Sequence, residues 1–292
     1  MTTIAEAPTV APTTAAPRFL WLDLTRKCQL QCVHCHNDSG PDGTHGTMTR
    51  EEWVSVLDQA ANTGVPGVQF TGGEVTMHPD ARALVGHALS LDLRVEVYSN
   101  LVHVTPEWWD LLQRGGVTLA TSYYSDKGAK HNAMTGRPSH ARTRANIVKA
   151  VQLGIPLRAG IIVGDETQRA DEARQELQPL GVTDIRVDHV RPFGRGADGQ
   201  APDLDGLCGR CGTDRAAIGP NGDVSPCVFS RWLNVGNVHD TPLATILGSP
   251  AMASANASIL DGRVSGGFDA CSPDTDDECS PGTPGSECTP KN

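Results

Sequence analysis

Two hydrophobic rhythms take turns along the first two thirds of this chain. Phe19–Thr25 is a largely apolar, β-prone run. Thr49-Arg50-Glu51-Glu52 then has the form of a helix capping box, and Trp53, Val56, Leu57 and Ala60 follow at helical spacing. Gly64 is placed to stop that helix. The sequence predicts strands over Gly67–Thr71, Arg94–Ser99, Val117–Ser122, Pro156–Val163 and Asp184–His189. It predicts helices over Asp80–Ser90, after Thr105-Pro106, over Thr143–Leu153 and over Glu166–Leu180. Six strands separated by helices imply a parallel sheet with right-handed crossovers. An open doubly wound sheet and a curved barrel both fit that alternation.

The pattern changes after His189. Arg191 to Gly206 is rich in Gly, Asp and Pro and reads as a linker. Beyond it, Ile218–Cys227 reads as a hairpin around an Asn221-Gly222 turn. The only helix expected there is a short one near Leu243–Leu247. No internal repeat is visible. The expected organisation is a disordered tail over 1–17, an α/β unit over 18–195, a linker over 196–206 and a small irregular unit over 207–292.

Composition narrows the partners. The chain has 292 residues and a formal charge of -10, so no basic excess exists to neutralise a nucleic acid. No apolar run is long enough to span a membrane. Residues 1–17 hold Thr, Ala and Pro without Lys or Arg, unlike a secretory or mitochondrial presequence. A cytoplasmic location is expected, where nine cysteines serve as metal ligands more readily than as disulfides.

Three of the nine stand on one short loop after the first strand, in Lys27-Cys28-Gln29-Leu30-Gln31-Cys32-Val33-His34-Cys35. Three thiolates at C-x3-C-x2-C spacing can hold a 4Fe–4S cluster and leave one iron open for a substrate or cofactor. The competing reading is a zinc knuckle completed by His34 or His36.

The run resembles the signature of the radical S-adenosylmethionine (radical SAM) enzymes, whose open iron binds SAM. Gly72-Gly73-Glu74, directly after the second strand, resembles the element that holds the SAM amino group. The resemblance implies a partial (β/α)6 barrel with its chemistry at the C-terminal strand ends. It assigns Ser99, Asn100 and Ser122 to the SAM ribose or carboxylate, and Arg158, a charged side chain in an apolar run that needs a partner, to the carboxylate. Gly160–Glu166 resembles the adenine-contacting segment, one residue short between its second glycine and Glu166. His34 stands where the family has an aromatic residue over the adenine.

A second set, Cys208-x2-Cys211-x15-Cys227 with Gly222 between, resembles the first half of a SPASM domain, as does Gly236-Asn237-Val238. The second half departs from that pattern, with Cys271-x7-Cys279-x8-Cys288. Six cysteines cannot fully ligate two cubanes. A shortened, Twitch-like domain with one auxiliary 4Fe–4S cluster is therefore implied, held by Cys208, Cys211, Cys227 and Cys271. A structural zinc ribbon is the alternative there. The last 22 residues are rich in acid and proline, and their cysteines are expected to wrap the auxiliary cluster.

Such enzymes cleave SAM reductively to a 5′-deoxyadenosyl radical that takes a hydrogen from a substrate carbon. The expected substrate is a ribosomally made peptide, crosslinked through a thioether or carbon–carbon bond, or epimerised. The alternative is oxidation, epimerisation or decarboxylation of a sugar, aminocyclitol or nucleoside. A non-enzymatic metal scaffold is a third reading, which would release no 5′-deoxyadenosine. Expected partners are an electron donor such as flavodoxin or ferredoxin and, since no winged-helix-like recognition domain precedes the first strand, a separate peptide-recognition protein.

Overall fold

The computed structural model describes residues 18–164, 168–208 and 214–265. The expected tail over 1–17, Glu166, Cys211 and Cys271, Cys279 and Cys288 lie outside them. Strands β1 (Phe19–Asp23), β2 (Gly67–Thr71), β3 (Arg94–Tyr98), β4 (Val117–Tyr123), β5 (Leu157–Val163) and β6 (Asp184–His189) lie side by side in chain order, all parallel. Helices α1 (Arg50–Asn62), α2 (Ala81–Ser90), α3 (Pro106–Leu112), α4 (Gly128–Thr135), α5 (His140–Gln152) and α6 (Ala170–Leu177) lie in the connections. This is the six-strand parallel unit the alternation implies, and its sheet stays open, with β6 at one edge.

The local chemistry explains the boundaries. Thr49 caps α1, accepting from the Glu52 N–H while Glu52 returns to the Thr49 N–H at 2.7 Å. Such a cap contributes about 1 kcal/mol. Pro106 takes the first turn of α3, where its missing N–H costs nothing. β2 is buried at every position, with Val68 and Phe70 in the core and Gln69 and Thr71 on the opposite face, lining a cavity. Leu20, Leu22, Phe70, Leu84 and Leu119 are fully buried in one core between sheet and helices. Each stabilises the fold by about 1.5–3 kcal/mol relative to exposure.

The remaining strands extend the same sheet. β7 (Arg215–Ile218) pairs parallel to β1, from Phe19↔Arg215 to Leu22↔Ile218. β8 (Asp223–Ser225) and β9 (Gly236–Asn237) follow antiparallel. The β7–β8 connection differs from a two-residue Asn-Gly turn. Gly222 N–H donates to the Gly219 carbonyl at 2.9 Å, and Gly219 N–H to the Asp223 carbonyl at 2.8 Å. Pro220, Asn221 and Gly222 thus form a three-residue loop, with Gly222 at φ +82° supplying the left-handed step.

Three helical expectations need correction. The segment expected from Thr143 starts at His140, and α4 precedes it unannounced. The helix expected over Glu166–Leu180 is α6 from Ala170, tightened into a 3-10 turn over Gln178–Leu180. A long helix also follows α7 (Leu243–Leu247): α8 spans Pro250–Ser265, where none was expected. Its Ala-rich composition favours helix, but its few apolar residues make no one-sided stripe. The expected linker holds 3-10 turns at Gly194–Ala197 and Leu204–Gly206, with Phe193 and Ala197 buried beside them.

Candidate active site

A cavity of about 210 Å³ opens at the C-terminal ends of the parallel strands. Cys28, Cys32 and Cys35 line it, together with Gly72, Gly73, Asn100, Ser122, Arg158 and His34. Glu74 and Ser99 stand behind its wall, both buried. Six of the eight residues assigned by resemblance to SAM therefore face the space that the cysteines face.

The cysteine loop is held from three sides. Gly73 N–H donates to Thr25 O at 2.6 Å and Glu74 N–H to Lys27 O at 2.9 Å. A Cβ at Gly72, which sits at φ +141°, would meet Thr25 O at 2.6 Å. One at Gly73 would meet Lys27 O at 2.4 Å. Only glycines let these two main chains approach so closely. On a second side, Gln31 and Val33 donate to the carbonyls of Thr135 and Met134, both at 3.0 Å, so α4 anchors the loop. On the third, Arg195 donates to Cys32 O and Ser39 O, each at 2.7 Å.

Glu74 organises the next layer. Its carboxylate accepts from Thr76 Oγ1 at 2.7 Å, Ser99 Oγ at 2.8 Å and the Asn100 N–H at 2.8 Å. Burial pushes its pKa up against those hydrogen bonds. Asn100, fixed from behind, turns its amide towards Cys28 Sγ at 3.6 Å and Gln29 Oε1 at 3.3 Å. Arg158, which required a partner, finds Glu96 in a bidentate pair at 2.7 Å on both arms, while its guanidinium lies over the Tyr98 ring. Tyr98 hydroxyl reaches Ser122 Oγ at 2.9 Å. His34 packs edge-on against Tyr124, and burial pushes its pKa down to about 4, so it is neutral.

These groups suit an iron–sulfur centre better than a single ion. The described cysteines are free of disulfides. Burial pushes the Cys28 and Cys32 thiols up to about 12, so thiolates there need a strong positive partner. Among the described residues, no three His, Cys, Asp or Glu side chains gather tightly enough for one ion. The cysteines instead surround a cavity, as a multi-iron cluster requires. The ring nitrogens His34 Nδ1 and His36 Nε2 are buried without a hydrogen-bond partner. They are polar atoms that a bound group can satisfy.

Cys208 and Cys227 meet in a second apolar cluster with Trp21, Phe193, Leu207 and Ile259. Cys227 Sγ accepts from the Phe229 N–H at 3.4 Å. Cavity residues that the sequence did not single out include Tyr124, His131, Arg186 and Asp188. Asp188 was findable, because it sits at the C-terminal end of β6, the sixth strand of the predicted alternation, and Arg186 lies two residues before it on the same face.

The radical SAM superfamily model matches residues 22–177, over half of the chain. The chain belongs to the radical SAM superfamily. An iron–sulfur cluster-binding (SPASM) domain model matches residues 208–280. This radical SAM protein is 25% identical over 271 residues to the antilisterial bacteriocin subtilosin biosynthesis protein AlbA of Bacillus subtilis, covering 80% of this chain and 60% of that protein. It is 29% identical over 195 residues to a PqqA peptide cyclase of Streptomyces rochei, covering 65% and 53%. The chain thus spans little more than half the length of the curated relatives it matches. Its fold is that of Streptococcus suis SuiB bound to precursor peptide SuiA, with a TM-score of 0.71 at 15% identity over 83% of this chain and 67% of that one. Among the described residues no helix is long and apolar enough to cross a membrane.

Proposed function

We propose that this protein is a peptide-modifying radical SAM enzyme. Cys28, Cys32 and Cys35 hold the SAM-binding 4Fe–4S cluster. Gly72, Gly73, Asn100, Ser122, Arg158 and His34 contact SAM, and Glu74 and Ser99 hold Asn100 in place. Cys208, Cys211, Cys227 and Cys271 hold one auxiliary 4Fe–4S cluster in a SPASM/Twitch-type unit over 207–292. A flavodoxin- or ferredoxin-type protein supplies the electron.

The observation that carries this reading is the convergence of the three-cysteine loop, the Gly72-Gly73 cradle and Asn100 on one cavity. When bound, the cluster and SAM supply a one-electron reductive cleavage that permits removal of a hydrogen atom from an unactivated carbon. The chain's own residues position and shield. The Glu74–Ser99–Asn100 network orients the amide beside Cys28, and the bidentate pair with Glu96 holds the Arg158 guanidinium in a fixed orientation at the wall. The peptide assignment draws on AlbA and the PqqA peptide cyclase as relatives.

The test is anaerobic turnover of the reconstituted chain with SAM, reductant and the synthetic product of a short reading frame adjacent to its gene. Loss of two hydrogen atoms from the peptide, or deuterium uptake at one α-carbon in heavy water, is expected together with 5′-deoxyadenosine. If 5′-deoxyadenosine forms only with a sugar, aminocyclitol or nucleoside, the peptide reading is wrong.

A further inference from the structure

β6 is the terminal strand of the sheet among the described residues, and it borders the active-site cavity in an unusual way. All six residues from Arg186 to Arg191 line that cavity. Successive strand side chains point to opposite faces, so a cavity against one face would meet every second residue. Val187 packs against the main core and also borders the cavity. Arg186 and Asp188 share the cavity-facing side of the sheet with Gly160 and Ile162, to which they are paired, and Val187 and His189 between them bring the β6 main chain to the same cavity.

The hydrogen bonds give the direction of the β6 edge. Val190 N–H donates to Val163 O of β5 at 2.9 Å. Donor direction alternates along a strand, so the N–H groups of Ile185, Val187 and His189 point away from β5. His189 bears this out: its N–H donates to the Asp188 carboxylate at 2.8 Å. A carboxylate oxygen thus sits where the carbonyl of a neighbouring strand would sit. Arg191 holds it there, with Nη2 at 3.0 Å from Oδ1.

We propose that the outer edge of β6, from Ile185 to His189, receives the substrate peptide as an added strand. Its carbonyls would take the outward N–H groups of Val187 and His189, displacing the Asp188 carboxylate from the latter. This arrangement delivers a main chain of any sequence to the cavity that holds Cys28, Cys32 and Cys35, while alternate side chains read the pocket. Asp188, released from the His189 amide, keeps its ion pair with Arg191 beside the peptide. The inference rests on the peptide reading above and adds where and how the peptide binds.

Hydrogen exchange on the reconstituted holoenzyme with SAM tests it, using the same synthetic adjacent-frame peptide as probe. Exchange at the Ile185, Val187 and His189 amides is expected to slow at least tenfold on peptide addition. The Arg186, Asp188 and Val190 amides, already turned to β5, are expected to change little. A scan of the peptide with single backbone N-methyl groups needs no change in the enzyme. Affinity is expected to fall about two- to tenfold at alternate positions of one short stretch, the loss from one main-chain hydrogen bond. Peptide that is modified without protecting these amides, or N-methyl losses without alternation, overturns the edge assignment and leaves the peptide function standing. Ile185 and Val187 amides already protected in the free enzyme overturn it as well. A peptide that is neither modified nor bound, alongside turnover of a small molecule, removes the peptide reading and the edge assignment together.

Discussion

Arg158 and Glu96 are both nearly inaccessible, with side chains 5% and 4% exposed. Two charges taken out of water are tolerable only because each neutralises the other through two hydrogen bonds. Glu96→Ala leaves a buried guanidinium without its carboxylate and should cost about 3–5 kcal/mol of stability. Removing both charges, as in Glu96→Ala with Arg158→Met, should recover much of that loss. Anaerobic urea unfolding of the parent and the two variants is the check, and equal losses from Glu96→Ala and the double variant would contradict the pairing. The sequence marked Arg158 as a cation in an apolar strand in need of a partner. It could not name Glu96, which lies in an alternating strand where a polar residue reads as solvent-facing. In a parallel sheet covered on one side by helices and lining a cavity on the other, that polar residue points inward. Tyr124 and His131 escaped notice for the same reason, since their roles come from the neighbours folding supplies.

The elements divide by the kind of burial that makes them. Strands β1 to β6 and helix α1 were legible because apolar residues at periods of two or 3.6 define their buried faces. Helix α4 was not, since its buried residues are His131 and Thr135, which carry no hydrophobic signal. Yet α4 accepts two main-chain hydrogen bonds from the cysteine loop, so an element invisible to periodicity helps to shape the site. Helix α8 hid its contribution in a single residue. Ile259 is 1% exposed and packs in the cluster that contains Cys227 and Trp21. Ile259→Ala should cost about 2–5 kcal/mol through the cavity it leaves. It should also lower iron retained by the second cysteine set while sparing the first. Thermal melting with iron analysis tests this, and a variant that melts and retains iron like the parent would show that α8 does not support that set.

At the scale of the molecule, the two cysteine sets share one sheet. β1 runs into the Cys28–Cys35 loop, and β7, paired to it in register, leads through β8 to Cys227. Sequence reading placed both sets and their order but described the second as a unit beyond a linker. The pairing of β7 with β1 joins residues nearly two hundred positions apart, and no local pattern announces such a contact. The site itself was legible as far as motifs reach: Cys28, Cys32, Cys35, Gly72, Gly73, Asn100 and Ser122 face one cavity, whereas the support behind them needed the fold. The central claim is that Cys28, Cys32 and Cys35 build the centre at which SAM is cleaved. Anaerobic reconstitution of the parent and of the Cys28→Ala, Cys32→Ala, Cys35→Ala triple variant tests it, with iron and 5′-deoxyadenosine measured in the same samples. About eight iron per chain are expected in the parent and about four in the variant, from one surviving cubane, with no 5′-deoxyadenosine from the variant under strong reductant. A triple variant that still produces 5′-deoxyadenosine, or that binds as much iron as the parent, would contradict it.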